Sequence, residues 1–311
     1  MAERPTVAGM GEEGLIQRLV AAHGPGSGIG DDAALIALGG SSLLSVDSFV
    51  AGRHFDPARM SWTDSGYRAV AAALSDLAAM GGRPIAHLLA LSLPPDLPLA
   101  AFDALAAGLA EAAAANHSRL IGGNLVSAAE VTITVSVAGE ARRPVGRTGG
   151  AIGDRLAVTG PLGLAALGRE AILAGEAPPP KAASAFLRPK PAWAAAALLA
   201  DGGARALIDV TDGLAIDVSR LLHQGAIGAE LEAGALPLAD SGDRSEDLRR
   251  ALFGGDDYCL VAAVPEASWP GLKEAFAAAE QSLYAIGRLS PEPGVRLDGT
   301  PLAVSGYDHF S

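Results

Sequence analysis

The sequence has little cysteine, little lysine and no long apolar run, and each scarcity excludes a class of protein. Cys259 is the sole cysteine among 311 residues, which excludes an intramolecular disulfide and a cysteine-rich metal site. Lysine occurs only at Lys181, Lys190 and Lys273, and the formal net charge is −12, which disfavours nucleic acid and anionic membranes as partners. The longest apolar run, 192–200, is too short to cross a bilayer, and the N-terminus is acidic where a signal peptide is apolar. These features predict a cytoplasmic protein.

The common phosphate-binding loops are also missing. The sequence has no G-x-x-x-x-G-K-[ST] motif, and the glycine run that includes Gly28 and Gly30 continues into Asp31, so it is not G-x-G-x-x-G. A protein without these loops can neutralise phosphate charge with Mg²⁺, which prefers carboxylate oxygens as ligands. Such a site needs acidic residues grouped where strands and loops end.

Composition and patterning predict two globular domains of α/β or mixed α+β class. Half of the residues are hydrophobic and 19% are charged, which is typical of a folded chain of this length. A stretch rich in glycine, arginine and proline, from Arg142 to Asp154, marks the boundary, so we expect domains at 1–148 and 149–311. The pattern predicts helices near 12–23, 63–80, 100–115, 162–173, 192–199 and 214–223. It predicts strands near 42–46, 85–93, 119–121, 131–137, 155–158, 206–210 and 258–264.

Aspartates recur where these predicted strands and loops end. They are Asp31, Asp32, Asp47, Asp76, Asp209, Asp212, Asp256 and Asp257. An acidic residue directly after an apolar strand is poorly solvated unless something binds it. The pattern therefore indicates a protein that binds phosphates through metal ions.

Each candidate also has an ordinary structural interpretation. Asp-Gly and Gly-Asp pairs are common in turns. Asp76 can lie on a solvated helix face beside Ser75 and Arg68, and Asp209 can cap a helix that begins near Gly213. A half-buried histidine and a solvated loop arginine are the corresponding interpretations of His54 and Arg147.

Short segments in a specific order narrow these alternatives. They are GIGDDAA, SVDSFVAGRHF, ALSDLAAMGGRP, LIGGN, GRTGGAIGD to LAVTG, RPKP, IDVTDGL, FGGDDY and GYDHF. Through them the chain resembles the thiamine-monophosphate kinase family over nearly its whole length. Related families with the same fold are aminoimidazole ribonucleotide synthetase, selenophosphate synthetase and a hydrogenase maturation protein. The last two usually depend on a reactive cysteine or on a C-terminal cysteine. The N-terminal third of this chain has no cysteine, and the sequence ends in His309-Phe310-Ser311.

The resemblance implies a fold, a reaction and an assembly. The fold is the two-domain aminoimidazole ribonucleotide synthetase-like α/β fold, in which the N-terminal sheets of two subunits form a β-barrel in a homodimer. The reaction is ATP-dependent phosphorylation of thiamine monophosphate to thiamine diphosphate, with several Mg²⁺ ions and with ATP as co-substrate. The alternatives are another enzyme of the superfamily that acts on a small phosphorylated substrate, and a non-catalytic paralogue that binds nucleotide and metal.

The resemblance also implies the site residues. The implied metal ligands are Asp32, Ser45, Asp47, Asp76, Asn124, Asp209 and Asp212, and the implied catalytic residues are Asp47, Asp209 and Asp212. The implied ATP-binding positions are Gly123, Asn124, Arg147 and Thr211. The implied substrate-binding positions are His54, Asp256 and Tyr307.

The sequence departs from the family pattern at three of its segments. Asn124 stands where the family has aspartate, and it offers a carbonyl oxygen but no charge. Val46 stands where threonine is common, and Asp256 is one methylene shorter than the usual glutamate.

Overall fold

The computed structural model describes residues 6–24, 41–222 and 227–304. The chain divides into two compact units, of which the first comprises Met1–Leu77 and Arg83–Glu140 and the second comprises Ala78–Gly82 and Ala141–Ser311. Each unit contains a mixed β-sheet together with helices, which confirms the expected two-domain α/β class.

The first unit contains a four-stranded sheet in the order β1-β4-β2-β3. Its elements are α1 (Val7–His23), β1 (Ser41–Val50), α2 (Trp62–Ala78), β2 (Arg83–Leu93), α3 (Leu99–Ala115), β3 (Arg119–Ser127) and β4 (Thr132–Ala141). Strand β2 runs parallel to β3 and antiparallel to β4. The sheet is open within one chain, since β1 and β3 are its edge strands in the described part.

One face of this sheet is buried and the other is exposed. On β4 the apolar residues Ile133, Val135 and Val137 are buried, and the Thr and Ser residues between them are more exposed, so the predicted two-faced strand is confirmed. The strand register places four exposed apolar side chains on the face of the sheet that carries the Thr and Ser side chains of β4. We call this face the open face. Its apolar members are Leu44, Val46, Leu88 and Val126.

The predicted strand 42–46 was wrong in two respects. We expected a short buried strand that ends at Asp47, but β1 continues to Val50 and Asp47 lies within it. Leu44 and Val46 are 75% and 59% exposed, because alternate residues of β1 point to the open face. The apolar residues of this strand therefore occupy both buried and exposed positions in alternation, which the sequence pattern did not indicate.

The sequence offers Thr63 or Ser61 as the N-cap of helix α2 and Gly81-Gly82 as its C-terminal stop, and the structure has Ser61 as the cap. The Asp64 amide donates to Ser61 Oγ at 3.0 Å, and Ser61 Oγ lies 2.6 Å from Asp64 Oδ2, which is a reciprocal cap. At the other end, the amide of Gly81 donates to the carbonyl of Ala78, and Gly81 has φ of 69°. Ser61 and the double glycine thus define both ends of α2, as the sequence predicts.

His87 on β2 is buried in the first unit. Its Nδ1 lies 2.9 Å from Ser118 Oγ, and its buried Nε2 has no hydrogen-bond partner among the described residues. The ring of His23 lies 6.2 Å from the ring of His87, centroid to centroid. Burial, together with the positive charge that His23 can carry, lowers the pKa of His87 to about 3.

The first unit is therefore expected to lose stability in mild acid. Below an unfolded-state pKa of about 6.5, the unfolded chain binds a proton that folded His87 does not, so stability falls as pH falls toward 3. The contribution between pH 7 and pH 5 is about 2 kcal/mol. Urea unfolding at both pH values should show a smaller acid loss for His87→Gln than for the unsubstituted protein. His117→Asn, at an exposed position, is the control, and an equal acid loss in His87→Gln would contradict the assignment.

The second unit contains a seven-stranded sheet in the order β11-β10-β7-β9-β5-β8-β6. Its strands are β5 (Arg155–Val158), β6 (Ala206–Asp209), β7 (Gly228–Leu231), β8 (Leu260–Val264), β9 (Tyr284–Ser290), β10 (Gly294–Leu297) and β11 (Thr300–Pro301). Its α-helices are α4 (Leu164–Ala174), α5 (Pro180–Leu187), α6 (Trp193–Asp201), α7 (Leu214–Leu221), α8 (Arg244–Phe253) and α9 (Trp269–Ala278). Short 3₁₀ turns cover Ala233–Ala235 and Glu266–Ser268.

Strand β8 lies at the centre of the second unit's core. All of its residues are buried, and they alternate between two apolar clusters, with Val261 and Ala263 in one and Leu260, Ala262 and Val264 in the other. The sheet is thus covered on both faces around β8, which explains the continuous apolar run in its sequence. None of the helices within the described residues is long and apolar enough to span a membrane.

Cys259 precedes β8 and is buried with it. Burial raises the pKa of the Cys259 thiol well above its usual value, and the nearby carboxylate of Asp257 raises it further. The thiol is therefore held in its protonated, unreactive form.

The segment 175–181 was expected to be a loop, but α5 already begins at Pro180. Proline is tolerated there because the first turn of a helix needs no amide donor, and Pro179 and Pro180 occupy the N-cap and first helical positions. The proline-rich composition therefore indicated a helix start as much as a loop.

Candidate functional site

In the first unit, the structure brings Ser45 and Asp76 together. Ser45 Oγ on β1 donates to Asp76 Oδ2 on α2 at 2.5 Å. Asp47 lies two residues further along β1, so its side chain points to the same face of the strand as that of Ser45. Three of the predicted metal ligands are thereby placed on one side of β1, away from the open face.

The interpretation of Asp76 as part of a solvated helix face was wrong. Its neighbours Ser75 and Arg68 are both buried, and Asp76 itself is half-buried. Most of α2 packs into the first unit, so a carboxylate at position 76 is held among small apolar side chains. Its contact with the Ser45 hydroxyl partly offsets the cost of that burial.

Gly123 and Asn124 lie within a strand and not in the loop expected after 119–121. Strand β3 continues to Ser127, and its register places Asn124 beside Ala90 and thus on the open face. The structure therefore does not join Asn124 to Ser45 and Asp76. At Gly123 a Cβ atom would lie 2.0 Å from the Leu89 carbonyl oxygen, so close packing of β2 and β3 requires glycine.

His54 lies directly after β1, near the end of that strand. The Val50 amide donates to His54 Nδ1 at 3.1 Å, so this nitrogen carries no proton and the remaining ring proton is at Nε2. The Phe49 ring packs edge-on against it, with centroids 5.7 Å apart. The ring is half-buried and its orientation is set by the protein.

In the second unit, Asp209 is the last residue of β6 and is only 2% exposed. It was expected to be a possible cap for the helix that begins near Gly213, and this interpretation was wrong. Gly213 is itself the N-cap of α7, and no side chain caps it. Asp209 is instead a buried carboxylate at the end of a strand, which is the arrangement that the sequence indicated for a bound cation.

Asp217 organises the segment that follows Asp209. Its Oδ2 accepts hydrogen bonds from the amides of Thr211, Asp212 and Gly213 at 2.9, 3.0 and 3.2 Å. The Asp217 side chain has no exposed surface, and burial raises the pKa of its carboxyl despite these amides. Gly213 has φ of 120°, and a Cβ there would lie 2.7 Å from the Leu252 carbonyl oxygen, so the segment needs glycine at this turn.

Arg220 joins Asp217 to Asp212. Its Nη1 lies 2.5 Å from Asp217 Oδ1, and its Nη2 lies 2.7 Å from Asp212 Oδ2. Sequence reasoning missed both Asp217 and Arg220, although an Asp and an Arg three residues apart on the helix after IDVTDGL were visible as a possible pair.

The segment around Asp256 packs against the segment after β6. The Asp256 amide donates to the Thr211 carbonyl at 2.9 Å, and the Tyr258 amide donates to the Val210 carbonyl at 2.9 Å. The Asp256 backbone has φ of 66°, and its carboxylate accepts a hydrogen bond from Arg169 Nη1 at 2.9 Å. Thr211, Asp212 and Asp256 are therefore brought together in this unit.

Asp257, which the sequence grouped with Asp256, has a separate structural role. Its carboxylate accepts hydrogen bonds from the amides of Gly163 and Ala165, so it caps α4. Burial raises the pKa of Asp257 to about 7, and the amides only partly offset this effect.

Comparisons with known proteins agree with this architecture. The family model described as "AIR synthase related protein, N-terminal domain" matches residues 30–141. The model described as "AIR synthase related protein, C-terminal domain" matches residues 151–299. Together the two family models cover most of the chain, with one model for each of the two domains.

Two similar proteins identify the family within the AIR synthase related proteins. A thiamine-monophosphate kinase of Mycobacterium tuberculosis is 33% identical over 277 residues, which cover 84% of this chain and 82% of the relative. A thiamine-monophosphate kinase of Synechococcus elongatus is 33% identical over 321 residues, which cover 97% of both chains.

The chain belongs to the thiamine-monophosphate kinase family.

A solved structure extends the thiamine-monophosphate kinase likeness to three dimensions. The structure of AaThiL complexed with AMPPCP and TMP is 29% identical to this chain and has a TM-score of 0.80. The likeness covers 97% of both chains. The protein is therefore a kinase with the two-domain fold of AIR synthase related proteins.

The site roles that the thiamine-monophosphate kinase resemblance implies all remain predictions. Asp32 and Tyr307 lie outside the described residues, and Arg147 is exposed in the segment between β4 and β5. Within residues 6–24, 41–222 and 227–304, no three acidic, histidine or cysteine side chains form a group that could hold a metal ion. The described contacts join Ser45 to Asp76, and Thr211 and Asp212 to Asp217 and Asp256.

Proposed function

We propose that the protein transfers the γ-phosphoryl group of ATP directly to the phosphate of thiamine monophosphate, which yields thiamine diphosphate and ADP. The observation that carries this proposal is the likeness over 97% of both chains to AaThiL complexed with AMPPCP and TMP, an ATP analogue and an acceptor phosphate. In this reaction the bond between the β,γ-bridging oxygen and the γ-phosphorus breaks. A new bond forms between that phosphorus and an oxygen of the acceptor.

The protein's part in this transfer is placement and charge. The acceptor phosphate is already ionised at neutral pH, so no protein base is needed to activate it. Phosphoryl transfer then depends on in-line placement of the two phosphates and on neutralisation of their charge. Thr211 and Arg147 would bind the nucleotide, and His54, Asp256 and Tyr307 would orient the thiamine phosphate.

The residues present suit Mg²⁺. Ser45 and Asp76 offer oxygen atoms in contact with each other, Asp47 shares their side of β1, and Asp209 is a buried carboxylate at a strand end. Hard divalent cations prefer such oxygen donors. We propose that Ser45, Asp47 and Asp76 in the first unit, and Asp209 and Asp212 in the second, would each contribute to holding Mg²⁺ ions. Asp32 stays a ligand that the family resemblance implies. Bound Mg²⁺ supplies positive charge that offsets the phosphate charge during transfer.

The proposal is tested by a turnover assay with thiamine monophosphate, ATP and Mg²⁺. Formation of thiamine diphosphate with stoichiometric ADP is the expected result. ATP binding without any turnover would contradict the proposed reaction and would favour a non-catalytic nucleotide-binding protein.

ATP binding is expected to require a divalent cation. The three lysines lie outside any glycine-rich loop, so carboxylates must be bridged to the phosphates by a cation. Calorimetry with Mg²⁺ or Mn²⁺ should show ATP binding that EDTA abolishes. Equal affinity for ATP in the presence and absence of EDTA would rule out the metal bridge.

We also propose that a second copy of this chain covers the open face. Leu44, Val46, Leu88 and Val126 expose apolar surface on one side of a sheet whose other side is buried. A soluble monomer rarely leaves several large apolar side chains exposed on one face of a sheet. Pairing two open sheets face to face buries these side chains and agrees with the barrel-forming homodimer that the family resemblance implies.

A further inference from the structure

The segment 211–213 is held from two sides. Its amides converge on a single carboxylate oxygen, Asp217 Oδ2, and the Thr211 carbonyl accepts a hydrogen bond from the amide of Asp256. Consecutive amides that converge on one point form an anion-binding concavity. Here the anion in that concavity is the protein's own buried carboxylate, so the backbone is ordered without any ligand.

Arg220 extends this order from the backbone to a side chain. Asp217 is fully buried, and its Oδ1 is paired with Arg220, so the guanidinium has a fixed anchor. The other end of the guanidinium contacts Asp212 Oδ2 at 2.7 Å. The orientation of the Asp212 carboxylate is therefore fixed, through Arg220, by the buried Asp217.

We propose that Asp217 and Arg220 are positioning residues for nucleotide and metal binding. They hold the backbone of 211–213 and the carboxylate of Asp212 in place before either ligand arrives. This inference rests on the proposed function, in which Thr211 binds ATP and Asp212 is a metal ligand. Neither Asp217 nor Arg220 needs to touch a reacting atom for this role.

The second unit offers a matched pair, Asp247 and Arg250, whose hydrogen bonds and ion pairs within the described residues include none of the site residues. On α8, Arg250 Nη1 lies 3.2 Å from the buried carboxylate of Asp247, also three residues away. Asp247 Oδ2 accepts an amide hydrogen bond from Ser241 at 2.9 Å, which parallels Asp217 and the amides before α7. Arg250 also pairs with Glu170 through Nε at 2.7 Å, so a purely structural loss should be at least as large in Arg250→Gln as in Arg220→Gln.

Amide hydrogen exchange of the ligand-free protein is the first test. The amides of Thr211, Asp212 and Gly213 should exchange slowly in the unsubstituted protein and in Arg250→Gln. They should exchange faster in Asp217→Asn, whose single acceptor oxygen cannot serve both the backbone amides and Arg220. They should also exchange faster in Arg220→Gln. Unchanged exchange of these three amides in both α7 variants would overturn the proposal.

Affinity for the metal probe is the second test, and it separates positioning from stability. Groups that orient metal ligands contribute roughly ten- to hundred-fold to metal affinity. Calorimetry with Mn²⁺ and AMPPCP should show a loss of this size in Arg220→Gln, a smaller loss in Arg220→Lys, and no loss in Arg250→Gln. Arg220→Lys retains one charge, so it also serves if Arg220→Gln fails to fold.

The outcomes are separable. If Arg220→Gln and Arg250→Gln lower the melting temperature alike and both keep the affinity for Mn²⁺ and AMPPCP, the positioning role is wrong. If the unsubstituted protein does not bind Mn²⁺ and AMPPCP, the proposed function fails. In that case hydrogen exchange at 211–213 still decides whether Asp217 and Arg220 order the segment.

Discussion

Asp209→Asn is expected to lower the turnover of thiamine monophosphate by roughly 100- to 1,000-fold, which is the size of effect seen when one fixed electrostatic contact to a transition state is removed. Asp209 is 2% exposed at the end of β6, and asparagine has nearly the same shape. The substitution therefore removes a charge without opening a cavity. Loss of a buried carboxylate also removes a desolvation cost, so the melting temperature should hold or rise.

Steady-state kinetics and a thermal melt of the same preparations check this prediction. Asp240→Asn, at an exposed position of the same unit, is the control and should keep full turnover. Asp47→Asn should show a loss like that of Asp209→Asn, because Asp47 is assigned to the same metal-binding role. If Asp209→Asn turns over thiamine monophosphate as fast as the control does, the assignment of Asp209 as a metal ligand is wrong.

Val46→Asp is expected to convert a dimer into a monomer at micromolar concentration. Val46 is exposed on the open face, so its replacement by aspartate should change the folding stability of the isolated subunit little. In a symmetric pair the substitution places two charges in an apolar interface, where an unpaired charge costs several kcal/mol. Several kcal/mol correspond to a rise in the dissociation constant of roughly 100-fold or more.

Light scattering across a concentration series measures the assembly. Leu173→Asp, at an exposed position on α4 outside the open face, is the control and should leave the assembly unchanged. Leu44→Asp should act like Val46→Asp, since both side chains point from β1 to the same surface. A monomer already present in the unsubstituted protein at micromolar concentration would contradict the proposed dimer.

The sequence predicts helix ends and strand faces well where a single residue type or a simple alternation determines the local structure. Ser61 and the glycines after α2 mark the ends of that helix because an amide needs a cap and a left-handed residue suits glycine. The alternation of VTITVSV predicts the two faces of β4 for a similar reason. Motif order, in turn, suffices to predict the family and the two-domain fold.

Other features depend on contacts between distant parts of the chain, which a local pattern does not contain. Whether Asn124 shares a face with Asp76 is set by the register of β3 against β2, and an extra residue in β3 between Leu120 and Gly123 shifts that register. The role of Asp217 depends on the turn at Gly213, which brings three amides back to a side chain of the next helix. The later strands β7, β9, β10 and β11 were missed because they are short and lack regular alternation.

Cys259 provides the protein with an internal reporter of opening. It is the sole thiol of the chain, it directly precedes strand β8, and burial suppresses its thiolate. A thiol reagent can label it only when the core around β8 separates, so the labelling rate records excursions of the second unit alone. Because the first unit contains no thiol and loses stability in acid through His87, the openings of the two units can be followed separately in one unsubstituted molecule.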